Sequence, residues 1–174
     1  MLRLSELRDD LRKLGNKAFL EAHSAPGLVL RLPLNALFDA TELDVGEGDQ
    51  EEDTVVVTVP KTLLPEEPGK APELVAWVTQ SGRHQFGSII TLGRAKNCDI
   101  RLPLSTISKM HAVFTDAAGS WSVTHSGATN GVFVNQVAVE KDRKVALRDG
   151  DSLSFGPGVR GHFYGPEALL KFLG

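Results

Sequence analysis

Residues 108–111 read Ser108-Lys109-Met110-His111, between Gly93-Arg94 upstream and Thr129-Asn130-Gly131 downstream. Each piece stands where a β-branched or apolar run meets turn chemistry. Ile89-Ile90-Thr91-Leu92 leads into Gly93-Arg94, His111 opens a run through Thr115, and Asn130-Gly131 precedes Val132-Phe133-Val134. Gly-Arg and Asn-Gly are common alone. In this order, each at a strand-to-loop boundary, they define a β framework with polar residues gathered on its loops.

Working outward, short strands recur from Leu74 onward. The expected strands are Leu74–Thr79, Gln85–Leu92, Asp99–Leu102, His111–Thr115, Ser120–Thr124, Gly131–Val134, Lys144–Leu147, Ser152–Phe155 and Gly161–Tyr164. Trp121, Val123 and Phe133 alternate with polar neighbours as half-buried strands do. Ala117-Ala118-Gly119 reads as a hairpin loop and Asp149-Gly150-Asp151 as a tight turn. Short, evenly spaced strands of this kind predict an all-β chain folded as an antiparallel β-sandwich. Glu167 to Leu173 reads as a short closing helix.

The preceding part reads differently. Leu4, Leu7, Leu11 and Leu14 recur at three- and four-residue steps, continued by Ala18 and Phe19, which predicts an amphipathic helix over 4–22. Gly15 weakens its middle, and Ser24-Ala25-Pro26-Gly27 ends it. The leucine stripe packs either internally or against another chain. Leu28–Leu32 and Thr54–Val59 read as short strands, separated by the acidic, Gly-containing loop Glu47–Asp53. Four prolines and Gly69 within Pro60–Pro72 read as a linker. The expected organisation is therefore a small α/β N-terminal extension or docking domain over 1–59, a Pro-rich linker over 60–72, and the sandwich over 73–174.

The chain has 174 residues, 41% apolar and 24% charged, as soluble globular proteins do. Cys98 is its one cysteine, which excludes an internal disulfide and a cysteine zinc cluster. No apolar run approaches the roughly 18–20 residues of a bilayer-spanning helix. The acids among the leucines of the N-terminus do not fit a secretory signal, so a cytoplasmic location is expected. The net charge of −3 is uneven: residues 1–72 hold 8 Lys+Arg against 14 Asp+Glu, and residues 73–174 hold 11 against 8. The mildly basic second part suits an anionic ligand and is too weakly basic for general nucleic-acid binding.

The pattern Gly-Arg, Ser-x-x-His, Asn-Gly resembles that of the forkhead-associated (FHA) domain, over roughly residues 73–174. The resemblance implies a twisted FHA/SMAD-like sandwich of about ten or eleven strands with its recognition loops at one end. It also implies a non-catalytic module that binds phosphothreonine peptides in Ser/Thr kinase signalling. The phosphothreonine-binding residues it implies are Arg94, Ser108, Lys109, Thr129 and Asn130. Arg94 offers a planar fork of donors matched to phosphate oxygens. Ser108 and Thr129 offer hydroxyls and Lys109 a second cation. Asn130 bonds the ligand's main chain through its amide. Gly93, His111 and Gly131 support the site, His111 by bracing the loop through its ring nitrogens and Gly131 by serving the turn. Residues flanking the phosphothreonine are expected to meet Leu104–Thr106 and Phe133–Gln136.

FHA domains commonly show Asp-x-x-Ser-x-Asn-Gly-Thr in the second loop. The matching stretch here places His125, Ala128 and Val132 at the Asp, Ser and Thr positions. These substitutions remove side-chain bonds expected to hold the loop, so weaker preorganisation is anticipated. A phosphorylation-independent FHA scaffold for assembling a complex is the alternative reading. An enzyme is not expected: there is no Gly-x-Ser-x-Gly elbow, Walker loop or dinucleotide fingerprint. The five histidines lack metal-ligand spacing, so no cofactor or metal is called for. Thr41-Glu42-Leu43-Asp44 resembles a ligand of some FHA domains. It makes Thr41 a candidate regulatory phosphosite, whose segment contacts the chain's own domain at high effective concentration.

Overall fold

The computed structural model describes residues 1–33, 70–80 and 89–174. In chain order its strands are β1 (Leu2–Arg3), β2 (Gly27–Arg31), β3 (Glu73–Trp77), β4 (Ile89–Gly93), β5 (Ile100–Arg101) and β6 (Ala112–Ala117). There follow β7 (Ser120–His125), β8 (Val132–Val134), β9 (Val137–Ala138), β10 (Lys144–Ala146), β11 (Ser152–Phe155) and β12 (Val159–Tyr164). Helix α1 (Leu4–Ala22) lies near the start, and α2 (Pro166–Leu173) follows β12. The strands form a seven-stranded sheet, β1-β3-β2-β12-β11-β8-β9, and a five-stranded sheet, β10-β7-β6-β4-β5. All pairs are antiparallel except β4 with β5. The all-β sandwich expected from the sequence is present. Two two-residue strands, β1 and β9, bring the total among the described residues above the ten or eleven anticipated.

One core fills the space between the sheets. Leu28, Leu30, Leu74, Ala76, Leu153, Phe155 and Phe163 of the larger sheet meet Ile90, Leu92, Ala112, Phe114 and Val123 of the smaller. A second core lies on the outer face of the larger sheet. There Val29 and Val75 pack against Leu4, Leu7, Leu11 and Phe19 of α1 and Leu169 and Leu173 of α2. Alternate residues of β2 and β3 thus serve different cores. This is why Gly27 to Leu30 are all buried, without the alternation of a half-buried strand. Full burial of Leu28 and Leu30 contributes about 2 kcal/mol each.

The leucine stripe of α1 is satisfied within the chain through Leu7, which is fully buried, while Leu14 stays half-exposed. The N-terminal backbone N–H of Arg3 is taken by the Glu6 carboxylate at 2.9 Å. Gly15, at φ 74° and ψ 164°, breaks the helix in two where the sequence marks its weakest point. Beyond the break, His23 stacks on Trp77 with ring centroids 4.7 Å apart.

The expected division at 60–72 turns on residues 34–69, which lie outside the described ones, as do the expected strand Thr54–Val59 and the loop Glu47–Asp53. What the described residues show is that 1–33 is built into the sandwich. β2 is hydrogen-bonded between β3 and β12, with Leu28 opposite Ala76 and Phe163. Strand pairing over such a distance leaves no local signal in the sequence.

Candidate functional site

Three loops meet at one end of the sandwich: 94–99 after β4, 102–111 between β5 and β6, and 126–131 between β7 and β8. β4 delivers Arg94 to this end. The Arg94 N–H donates to the Ser108 carbonyl at 3.0 Å, and the Ala95 N–H donates to the Lys109 carbonyl at 3.2 Å. Gly93 permits this approach, because a Cβ there would overlap the Lys109 carbonyl oxygen. The Cys98 thiol donates to the same Lys109 carbonyl at 3.2 Å, tying the first loop to the second. Burial pushes the Cys98 thiol above its ordinary pKa, against the lowering effect of hydrogen bonds from Thr91 and Ala95. The base of the first loop is fixed by Asp99, whose carboxylate accepts the Thr91 N–H at 2.8 Å and the Thr91 hydroxyl at 2.9 Å.

His111 is fully buried and joins the second loop to the third. Its Nδ1 accepts the Ser108 N–H at 3.1 Å. Its Nε2 lies 2.9 Å from the Gly131 carbonyl oxygen, so Nε2 carries the proton and the ring is neutral. Burial lowers the His111 pKa, and the Gly131 carbonyl opposes that shift. Gly131 adopts φ 73°, the left-handed turn conformation that its place in the sequence called for.

Further bonds draw the polar residues of these loops together. The Ser108 hydroxyl oxygen accepts the Thr129 N–H at 3.2 Å and retains its own proton to donate. The Asn130 amide donates to the Thr106 carbonyl at 2.8 Å. The Gly156 N–H, from the β11–β12 turn, donates to the Gly131 carbonyl at 3.1 Å. Lys109, Thr129 and Asn130 are exposed, while Arg94 and Ser108 are partly buried. The result is one end of the protein bearing a guanidinium, an ammonium, two hydroxyls and an amide. Such a set is chemically suited to an anion with several acceptor oxygens.

All eight residues singled out from the sequence around this end, Gly93, Arg94, Ser108, Lys109, His111, Thr129, Asn130 and Gly131, lie in these loops or support them. Thr41 lies outside the described residues. The expected readers of flanking positions divide. Leu104 is buried in the core. Asn135 turns its side chain to Asp151 at 2.8 Å and to the Ser152 N–H at 2.9 Å, at the end of β8 remote from Gly131. Thr106, expected only as a reader of flanking positions, holds Asn130 through its carbonyl, and Gly156 was not foreseen. Both act through main-chain groups, which leave no residue-type signature. At the three departures from the FHA loop pattern, His125 Nε2 lies 2.9 Å from the Ala128 carbonyl, and Ala128 and Val132 are buried.

Ser108 and His111 are not arranged as nucleophile and base, since the ring accepts the serine's backbone N–H while the hydroxyl is engaged by Thr129. Among the described residues, no cluster of three or more His, Cys, Asp or Glu is placed to hold a metal. Among them, too, no helix is long and apolar enough to cross a membrane.

A two-sheet β-sandwich with a donor-rich set of loops at one end is thus the class of protein defined by fold and site. Residues 90–156 match the family model of the FHA domain, and this segment is recognised as one. The match spans under half of the chain. No curated protein matches. Among solved structures, Mycobacterium tuberculosis EmbR in complex with a low affinity phosphopeptide is 26% identical, with 44% of this chain and 20% of that chain covered and a TM-score of 0.41. This chain therefore spans about a fifth of the EmbR chain. The FHA domain of an Arabidopsis thaliana hypothetical protein is 24% identical, with 53% and 74% covered and a TM-score of 0.46. The N-terminal FHA domain of S. cerevisiae Rad53p, in complex with a phosphothreonine peptide, is 20% identical, with 57% and 90% covered and a TM-score of 0.46.

Proposed function

We propose that the chain binds phosphothreonine peptides through the loops at 94–99, 102–111 and 126–131, and performs no chemistry on them. The observation that carries this reading is the chain of contacts from the Arg94 N–H to the Ser108 carbonyl and from the Thr129 N–H to the Ser108 hydroxyl, which ties together the three loops that bear these residues. The family match over 90–156 supports it.

A phosphothreonine carries about −1.5 to −2 charges at neutral pH and three acceptor oxygens. In this reading Arg94 supplies a forked pair of donors to the phosphate. Ser108 donates its hydroxyl proton, and Lys109 and Thr129 add a cation and a second hydroxyl. Asn130, whose amide already holds Thr106, offers Oδ1 and its second N–H to the peptide main chain. The threonine methyl contributes about 0.8 kcal/mol over serine if fully buried. The partner is a cytoplasmic protein phosphorylated by a Ser/Thr kinase.

The test is fluorescence polarisation with an oriented phosphothreonine peptide library, against phosphoserine and unphosphorylated counterparts, on wild type and Arg94→Ala. Binding to phosphothreonine alone, weakened at least about ten-fold by the substitution, is the expected result. A wild type that ignores every phosphopeptide overturns the reading. So does a partner held equally by wild type and Arg94→Ala, which is how a phosphorylation-independent scaffold behaves.

A further inference from the structure

The loop bearing Thr129 and Asn130 leaves β7 at His125 and turns back at Gly131. Its inner carbonyl, that of Ala128, receives two donors: the Gly131 N–H at 3.2 Å and the His125 ring at 2.9 Å through Nε2. A carbonyl oxygen only accepts, so Nε2 must carry the proton and the bond fixes the tautomer of His125. The histidine is itself anchored. Its backbone pairs with Ala112 across the sheet, and its carbonyl accepts the Asp142 N–H at 3.2 Å. Ala128 is 6% exposed, so its Cβ faces inward and has no polar atom with which to hold the loop.

We propose that His125 is a positioning residue. It donates a hydrogen bond across the base of the 126–131 loop and so presents Thr129 and Asn130 in a binding-ready arrangement. The inference rests on the phosphopeptide reading above. It deepens that reading by assigning loop preorganisation to a residue that need not touch the ligand. The polarity of the group at 125 is what matters. A donor there holds the Ala128 carbonyl, whereas an acceptor of the same reach faces that oxygen unfavourably and frees the loop. A freed loop must be ordered on binding, which lowers affinity mainly through faster dissociation.

The test compares His125→Gln, His125→Glu and His125→Ala in the full chain, with folding checked by circular dichroism. Gln and Glu have the same reach and opposite hydrogen-bonding polarity at the tip. Ring 15N NMR of wild type is expected to show His125 protonated on Nε2. His125→Gln should retain phosphothreonine-peptide affinity, while His125→Glu and His125→Ala weaken it roughly three- to ten-fold and speed hydrogen exchange at the Thr129 and Gly131 amides. An Nδ1-protonated ring, or a Glu variant equal to the Gln variant in affinity and exchange, overturns the proposal. If wild type binds no phosphopeptide, the functional reading falls, and the tautomer and amide exchange still decide the brace. If His125→Glu does not fold, the tautomer and the Gln–Ala comparison decide it.

Discussion

The hydroxyl oxygen of Ser108 accepts the backbone N–H of Thr129 at 3.2 Å, so one side-chain atom holds a loop within the smaller sheet to a loop that passes from the smaller sheet to the larger. The same hydroxyl keeps its own proton to donate, and its position is set by this contact within the protein.

Ser108→Ala removes both bonds. Hydrogen bonds to charged groups are worth about 1.5–3 kcal/mol, so phosphothreonine-peptide affinity should fall at least about ten-fold. Global stability should fall by only about 1 kcal/mol, because the loss at Thr129 is a single exposed contact. Peptide titration by fluorescence polarisation and urea denaturation separate the two effects. Equal affinity in wild type and variant would remove Ser108 from the site.

His111 gives stability a pH dependence of known sign. Burial holds its folded-state pKa below the ordinary 6.5. Between those two values the unfolded chain takes up a proton that the folded chain refuses. Stability contributed at neutral pH is therefore lost as pH falls below about 6.5 and levels off beneath the folded pKa. Protonation also ends the role of Nδ1 as acceptor for Ser108. Urea midpoints from pH 7.5 to 5.0 should drop, and His111→Gln, which does not titrate, should flatten the curve.

Cys98 should be slow to react. Its thiol is buried, donates to the Lys109 carbonyl and has a raised pKa, so little thiolate exists near pH 8. Labelling by a thiol reagent in native buffer should be far slower than in denaturant. Rapid native labelling would show that the 94–99 and 102–111 loops separate readily.

Residues 73–174 alone should not fold. Removing 1–72 deletes β2, leaving β3 and β12 without their shared neighbour and exposing both cores. Circular dichroism should show a chain without a cooperative melt, while the full chain melts cooperatively. A cooperatively folded fragment would show that β3 and β12 close directly upon each other.

The sequence made the site loops legible because their residues are chosen for side-chain chemistry. Arg94, Ser108 and Asn130 announce themselves by type and order, and Gly15 announced the break in α1. Other parts were silent for physical reasons. Thr106 and Gly156 contribute main-chain groups that any residue carries. Val137–Ala138 is a two-residue exposed strand with no alternation to detect. The place of β2 depends on pairing with β12, far along the chain, and its burial on both faces erases the period-two pattern. His125 was visible as a departure from the Asp of the FHA pattern, but not as a donor to a carbonyl three residues on.

The insertion of β2 between β3 and β12 has a consequence for biosynthesis. Gly27 pairs with Tyr164, so the larger sheet cannot close until β12 has left the ribosome. Closure over so many residues is slow, and until then Leu28, Leu30, Leu74 and Phe163 lack their permanent neighbours. The smaller sheet that carries Arg94 has no finished partner sheet during that interval. The loops at the Arg94 end therefore gain their supporting sheet only once β12 has been made, and until then the exposed apolar strands are open to non-native contacts.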